Sequence, residues 1–459
     1  MPQKLSLLFL LLLTATIGAQ QRPNVLLIVA DDLGRHDLGY YGSEIYQTPT
    51  MDRLATESRT FERAYANYPR CVPSRYALFT GRYPVVDGGV PDDGMHLSGP
   101  AQPAQWQAAG YRTALFGKWH LGPEPAQAGF DRTWAAGEAA SPRTFYYPFN
   151  AVEHPWNARK APIPDVDEAS KAGDYLTDIL TDAVIEDLET CSGEQPFLTV
   201  VSYYAVHQPL EAKAADERRN AAEIAAHDFG PGPAYVPEGT GRTKMWQDNP
   251  AYAGMVENLD WNIGRLLASL DSLGLRENTI VVLTSDHGGL SNDGTREREL
   301  ATSNYPLRAG KGWLYEGGIR VPLFVSWPGH VAPGADTASL TVLMDVLPAL
   351  QAYGGGAQVP GNPLGAALAG QADTSARSIF WHAPNARPRN TGDSPASAVI
   401  SGRWKLLDFW GTGRRELYDL ENDPYESNDL SSRDTARVDN LLQQLNAWRQ
   451  GHGIVLPSE

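Results

Sequence analysis

A chain of 459 residues in which 54 acidic side chains outnumber 38 basic ones carries a formal charge of -16. That balance excludes a protein built to track nucleic-acid phosphates. It also repels anionic ligands at long range, although a Debye length of ~8 Å leaves the outcome to the charge around each pocket. Two cysteines, Cys71 and Cys191, are too few for a disulfide framework, and the length suits one large α/β domain with a smaller companion.

Near the start, Lys4 precedes the apolar run Leu5 to Leu13 and the small residues Gly18 and Ala19, the pattern of a secretory signal peptide. The run is too short to span a bilayer, no second one follows, and no cysteine near the cleavage point offers a lipid attachment. A periplasmic or secreted protein without a membrane anchor is expected. Next, Asn24 to Ala30 reads as a strand buried on both faces of a parallel sheet, and it ends in Asp31 and Asp32. Adjacent carboxylates repel, and a hard divalent cation is the common remedy. Thr48 and Pro49 open a short capped helix through Met51, Leu54 and Ala55. In RCVPSRYALFTGRYP, Arg70 to Pro84, Pro73 suits a first helical turn and Gly81 a stop. Cys71 is then expected just before a helix N-terminus, where free N–H groups and Arg75 favour an anion. By itself a lone cysteine in such a place is more often an inert buried thiol.

A helix over Ala101 to Ala109 closes on Gly110, and the strand Tyr111 to Phe116 runs into Lys118 and His120. The helix Asp174 to Thr190 and the strand Pro196 to Tyr204 lead to His207. From there to Asn249 the chain is rich in Ala, Gly, Pro and charge, so loop with one exposed helix near Ala214 to Ala226 is expected. A long helix, Pro250 to Leu273, precedes the strand Thr279 to Thr284, which ends in Asp286, His287 and two glycines. Lys311 lies on a Gly-rich loop before a strand at Arg320 to Trp327, and Leu340 to Ala352 reads as an amphipathic helix. Beyond about Gly370 the pattern becomes short strands in succession, at Arg377 to His382, Ala396 to Ser401, Trp404 to Trp410 and Glu416 to Leu420, with Gly402 as a hairpin turn. A final helix over Asp434 to Arg449 should cover that sheet. The expected map is a signal peptide at 1–19, a catalytic domain at 20–370 and a C-terminal subdomain at 371–459.

Four parallel strands thus deliver Asp31 and Asp32, Lys118 and His120, His207, and Asp286 and His287 to one sheet edge, the edge where open α/β sheets bind ligands. Singly, each of these is an ordinary loop residue. Their convergence on Cys71 is the signal.

The strings C-x-P-S-R and L-F-T-G-R around Cys71, RAGKGWLYEGGIRVP around Lys311, and WKLLDFW and ELYDLENDPYE near the C terminus resemble the type I sulfatases. These are formylglycine-dependent enzymes of the alkaline-phosphatase-like superfamily. Val72 departs from the family's habit of a small residue there. The resemblance covers Asn24 to nearly the chain end and implies an α/β sandwich with a large, mostly parallel sheet flanked by helices. A small C-terminal antiparallel sheet packed with a helix should follow. It implies that a formylglycine-generating or anaerobic sulfatase-maturing enzyme converts Cys71, and that Ca²⁺ is held by Asp31, Asp32, Asp286, His287 and position 71. By the same resemblance the hydrated aldehyde attacks sulfur, with Asp286 helping to activate it. Arg75 and Lys118 orient the sulfate, His207 with Lys311 protonates the leaving oxygen, and His120 takes the proton that frees sulfate.

The expected function is removal of sulfate from a sulfated polysaccharide or oligosaccharide, of the sort bacteria degrade, near a chain end. His36, Trp313, His382, Arg387 and Arg389 are candidates for the sugar subsites. The alternatives are an arylsulfatase, a phosphodiester or phosphonate monoester hydrolase of the same superfamily, and a non-catalytic protein that holds sulfated glycan with Cys71 unmodified.

Overall fold

Runs of Val, Leu and Ile without polar alternation belong in a sheet covered on both faces. The computed structural model describes residues 22–456 apart from 92–94, 98, 123, 153–156, 192, 194, 357–358 and 372–376, so the expected signal peptide at 1–19 lies outside the described residues. Its central sheet is built from Asn24–Ala30 (β1), Arg59–Phe61 (β2), Arg112–Gly117 (β3), Arg132–Trp134 (β4), Phe197–Ser202 (β5), Thr279–Ser285 (β6), Leu323–Ser326 (β7) and Gly334–Asp336 (β8). Their spatial order is β8-β2-β7-β6-β1-β5-β3-β4, and only β7 runs against its neighbours. β1 is therefore central, parallel to β5 on one side and β6 on the other.

Alternate side chains of the buried strands feed two separate cores. Leu27, Val29, Leu115, Val200 and Val282 pack with Phe79, Trp106 and Leu347 on one face. Leu26, Ile28, Phe116, Val201 and Val281 pack on the other with the helices Leu176–Glu189 and Pro250–Ser272, through Leu180, Val184, Leu259, Ile263 and Leu266. Each fully buried side chain of this kind contributes roughly 1.5–3 kcal/mol. The sheet is rigid, and what projects from its ends is held accordingly.

Several local expectations are corrected. Thr48 precedes the helix Pro49–Thr56 but does not cap it, because its hydroxyl accepts from the Gly39 N–H at 2.8 Å and donates to Asp52 at 2.9 Å. The expected helix at 340–352 is broken into a short strand, Thr341–Val342, a tight turn at Leu343–Asp345 and a helix over Val346–Gln351. Asp345 makes that break by accepting from the Val342 N–H at 2.9 Å, and Pro348 then sits in a first turn, where it needs no donor. The stretch after His207 contains the exposed helix Ala214–Ala226 and also a hairpin, Tyr235–Glu238 with Gly241–Lys244. Pro237 within that hairpin hides the strand pattern. The strand expected at Arg320 to Trp327 is confined to β7, after a short helix at Glu316–Ile319.

The last sheet joins Ser378–Ala383 (β9), Ala396–Ser401 (β10), Trp404–Phe409 (β11) and Arg414–Asp419 (β12) in sequence order, all antiparallel. Gly402 turns the β10–β11 hairpin at φ +58°. Val399, Leu406 and Leu417 meet Val438, Leu441 and Leu445 of the helix Thr435–Gly451, whereas Ile379, Trp381 and Leu407 join the main core.

One buried ion cluster ties this sheet to the rest. Lys405 Nζ on β11 lies 2.9 Å from Glu316 Oε1 and 2.7 Å from Glu426 Oε1, all three side chains being shielded from water. Burial holds the Glu426 carboxyl up to about 7 despite Lys405. Glu316 opens the short helix that follows the Lys311 loop, so the cluster also braces that loop. Removing one partner leaves buried charge uncompensated, and Lys405→Met should destabilise the protein by about 3–5 kcal/mol at pH 8. The loss should be smaller at pH 6, where Glu426 is protonated in the fold, and denaturant unfolding at the two pH values measures both.

Candidate active site

The residues after the strands turn sharply inward. Asp32 and His120 hold left-handed backbone at φ +62° and +61°. Gly117 does so at φ +92°, and a Cβ there would fall 2.1 Å from the Ser202 carbonyl, so glycine alone lets β3 and β5 close up ahead of Lys118.

The helix carrying the cysteine spans Cys71–Thr80, so Cys71 occupies its first turn and not the position before it. Arg75 Nε donates to Asp286 at 2.9 Å, and its Nη1 donates to the Lys118 carbonyl at 2.9 Å and to Ser202 Oγ at 2.6 Å. Ser74 Oγ donates to the Asp286 carbonyl at 2.6 Å. The cysteine turn is thereby tied to the ends of β3, β5 and β6.

Cys71 Sγ lies 3.4 Å from His287 Nε2 and 3.8 Å from Lys311 Nζ. His120 hydrogen-bonds it. Lys118 Nζ contacts Asp31 Oδ2 at 2.6 Å, and Lys311 Nζ donates to both oxygens of Asp32, at 2.7 and 2.8 Å. His287 Nε2 is 3.2 Å from Asp32 and 3.6 Å from Asp286. His207 Nε2 stands 3.8 Å from the other oxygen of Asp32, and its Nδ1 pairs with the Gln208 carbonyl at 2.8 Å.

Burial opposes every charge here, so neighbours decide each state. Burial would push the Cys71 thiol up, but Lys118, Lys311 and His287 pull it well below its ordinary value. Burial likewise favours a neutral His287, yet Asp286 and Asp32 hold it at about 9. Asp32 is brought to about 2 by Lys311 and by the charged His287 against its own desolvation. The Asp31 carboxyl is pushed well above the usual range by burial and by Asp286, Cys71 and Asp32, despite Lys118. Burial lowers His207 to about 3 and also depresses His120.

These shifts describe a surplus of buried negative charge that protons partly offset, and the donor geometry suits a divalent cation in their place. Asp31, Cys71, Asp286 and His287 each place a ligand atom within 4.8 Å of the others'. Asp31 Oδ1 is buried without a hydrogen-bond partner. His287 Nδ1 faces the Gly288 carbonyl at 3.0 Å and must donate to it, which leaves the Nε2 lone pair for the cluster. Carboxylate oxygens with one imidazole fit Ca²⁺, Mg²⁺ or Mn²⁺.

A cleft of about 560 Å³ opens beside Val72 and His120, lined further by His96, Glu138, Arg159 and Lys160. A cavity of about 410 Å³ near Met344, Asp345 and Arg377 borders none of the reactive groups. Of the expected sugar contacts, Trp313 is buried, stacks on Tyr315 and donates to the Thr391 carbonyl, while His382 is buried against Ser397 and Trp410. His36 packs beside Tyr41 with Arg35 and Arg320 near it. Arg387 and Arg389 lie on the β9–β10 loop, with Arg387 half-buried and Arg389 exposed.

Sequence reasoning passed over Ser202, which receives Arg75, and Asp37, which lies beneath Asp32. Tyr252 Oη reaches both, donating to Asp37 at 2.5 Å and approaching the Asp32 carbonyl at 3.4 Å, and burial raises the Asp37 carboxyl to about 7. A third acid in the string DDLGRHD was the available sign.

A family model described as Sulfatase matches residues 23–355, and one described as N-sulphoglucosamine sulphohydrolase, C-terminal, matches residues 309–450. Steryl-sulfatase of Mus musculus is 32% identical, with 95% of this chain and 82% of that protein aligned. N-acetylgalactosamine-6-sulfatase of Homo sapiens is 30% identical over 72% of this chain and 61% of that one. The crystal structure of Ps i-CgsB with k-i-k-neocarrahexaose superposes with a TM-score of 0.74 at 27% identity, over 94% of this chain and 93% of the other.

The charge surplus generates a prediction that needs no substrate. Calcium added to metal-stripped protein should raise its melting temperature, by the equivalent of about 2.7 kcal/mol at a hundredfold excess over Kd. Asp286→Asn and His287→Ala should each remove most of that increment. Scanning calorimetry with calcium, magnesium and manganese tests it, and an absence of any increment would dismiss the cation.

Proposed function

The chain belongs to the sulfatase family, and from that premise we propose that this sulfuric ester hydrolase removes sulfate from a sulfated polysaccharide or oligosaccharide, at or near a chain end. The supporting observation is the cleft beside Val72 and His120, where His96, Glu138, Arg159 and Lys160 are set among Val72, Met95, Ala140 and Ala161, a mixture that offers hydrogen-bond partners to sugar hydroxyls and apolar surface to the faces of the ring. The named relatives include enzymes of both kinds, so cleft chemistry carries the choice. Among the described residues no helix is long and apolar enough to cross a membrane. In the same reading residues 1–19 direct export to a periplasm or the exterior, 20–370 form the catalytic domain and 371–459 the C-terminal subdomain. The chain would then stand with bacterial polysaccharide sulfatases.

Cys71 Sγ marks the place of a formylglycine, which supplies a hydrated aldehyde as nucleophile once a maturation enzyme has acted. Ca²⁺ would be held by Asp31, Asp32, Asp286, His287 and position 71, and there it would neutralise charge on the ester oxygens. The chain's own groups do the rest. Arg75, locked between three strand ends, and Lys118 set the orientation of residue 71 and of the sulfate. His120 is within hydrogen-bond reach of position 71 and has its pKa lowered, as a proton acceptor there requires.

His207 donates from Nδ1 to a carbonyl, so its neutral form presents a bare Nε2 to the leaving oxygen. It must gain a proton to act as an acid, and an arriving sulfate anion favours that gain. Lys311, whose charge Asp32 sustains against burial, stands next to it as the second donor.

The experiments follow from the roles. Peptide mass spectrometry of fully active enzyme should find an aldehyde at position 71, and active protein with only unmodified Cys71 would sink the mechanism. Faster turnover of a phosphate diester than of any sulfate ester would move the activity to the related hydrolases.

A sugar alcohol is a poor leaving group and nitrophenolate is a good one. His207→Ala should therefore cost ~10² to 10⁴ in rate on a sulfated oligosaccharide and far less on 4-nitrophenyl sulfate. Equal losses would remove His207 from the acid's role. Because burial depresses His207, its protonated form is scarce at neutral pH, and kcat/KM on the saccharide should rise as pH falls from 8 to 5.5. The aryl ester should lack that rise.

A further inference from the structure

Two loops outside the Cys71 cluster gather a second body of positive charge. Residues 294–299 and the β9–β10 loop are joined through their backbones, the Thr295 N–H donating to the Pro388 carbonyl at 3.1 Å and the Arg296 N–H to the Arg389 carbonyl at 3.0 Å. This pairing brings Arg296, Arg298, Arg387 and Arg389 to one rim.

The rim is attached to both sides of the site. Arg298 donates to the side chain of Gln208, the residue after His207, and Gln208 Nε2 donates back to the Glu299 carbonyl at 3.0 Å. On the other side Arg70, the residue before Cys71, donates to the Asn385 carbonyl and to Asp393, each at 2.7 Å. Arg298 is close enough to feel Asp32, Arg296 and Arg387 electrostatically.

Nearby carboxylates offset part of this charge. Asp293 is buried 3.1 Å from Arg242 and also acts on Arg298, the exposed Glu297 is 3.6 Å from the same Arg242 guanidinium, and Glu299 keeps its charge while accepting from the neutral Asn249 amide, so four arginines on the rim still outnumber the acids around them. Among the described residues no ion pair neutralises Arg296, Arg298 or Arg389, although the chain as a whole carries -16. Arg298 is half-buried beside these like charges, a strain that an anion settling between them would relieve, and guanidinium forks match the oxygens of sulfate or carboxylate. The ester sulfate already has Arg75, Lys118 and Lys311. The rim therefore serves a different anion.

We propose that this arginine rim binds a second anionic group of the substrate, a sulfate or carboxylate on a neighbouring sugar, and so selects polyanionic saccharides over singly sulfated ones. The assignment rests on the carbohydrate reading above. It adds Arg296 and Arg298, which belong to no strand end and no motif, as residues that set specificity. Anchoring a remote group would position the ester and raise kcat/KM, with a dependence on salt that a singly charged substrate would not share.

The test uses hydrolysis of 4-nitrophenyl sulfate by the mature enzyme, inhibited by low-molecular-weight dextran sulfate or by oligogalacturonate, with neutral dextran and single-stranded DNA as controls. One of the two charged saccharides should compete, and which one does so identifies sulfate or carboxylate as the second group. In the triple variant Arg296→Gln/Arg298→Gln/Arg389→Gln, and in part in the exposed single variant Arg389→Gln, the inhibition constant should rise at least tenfold more than KM for the aryl ester. Parallel changes in the two constants, an unchanged inhibition constant, or DNA competing with the same arginine dependence would overturn the proposal. Length-matched oligosaccharides with one or two sulfates per disaccharide separate the two readings. If both are hydrolysed with equal kcat/KM in wild type and variant, the rim fails and the carbohydrate reading stands. If neither is hydrolysed while the aryl ester is, both fail.

Discussion

Like charge packed out of reach of water is the constraint on which the site depends. Asp31, Asp32 and Asp286 are at most 1% exposed and share one small volume with Cys71. Such a group of acids is tolerable only if every remaining direction is filled by positive charge, and the fold supplies Lys118, Lys311, Arg75 and His287 from four separate segments. The rigid two-faced sheet, the close approach of β3 to β5 at Gly117 and the Lys405 cluster behind the Lys311 loop all keep those cations in place. Loss of any one would return negative charge to the acids, which would answer by taking up protons.

The strand ends were legible because the strands themselves were. Val25 to Ala30 and Ile280 to Leu283 are unbroken apolar runs that fit only the middle of the sheet, and the residues that follow their strands must emerge at the same edge. What could not be read was anything decided by partners distant in sequence. Thr48 looks like a cap until Gly39 and Asp52 claim its hydroxyl, and the 340–352 segment looks helical until Asp345 turns back on Val342. Arg296 and Arg298 carry no local signature at all. They become a feature only when the loop that follows β6 meets the loop between β9 and β10, an encounter across roughly ninety residues.

The site consequently has two layers of different origin. Its floor comes from strand termini together with the Cys71 helix and the Lys311 loop. Its walls come from loops, and these are free to differ among relatives that carry names as unlike as steryl-sulfatase and N-acetylgalactosamine-6-sulfatase.

The burial of the cysteine turn has a bearing on timing. Cys71 is 7% exposed, Pro73 is buried and Arg75 is 1% exposed, with its guanidinium bound to three strand ends. No second enzyme can read C-x-P-x-R in that state, so the conversion proposed for Cys71 must be finished while the segment is still extended. Folding and modification are therefore competitors in a race. Under that proposal a molecule that folds first keeps an unconverted Cys71, and the converted fraction of a preparation is fixed in the interval before the sheet closes.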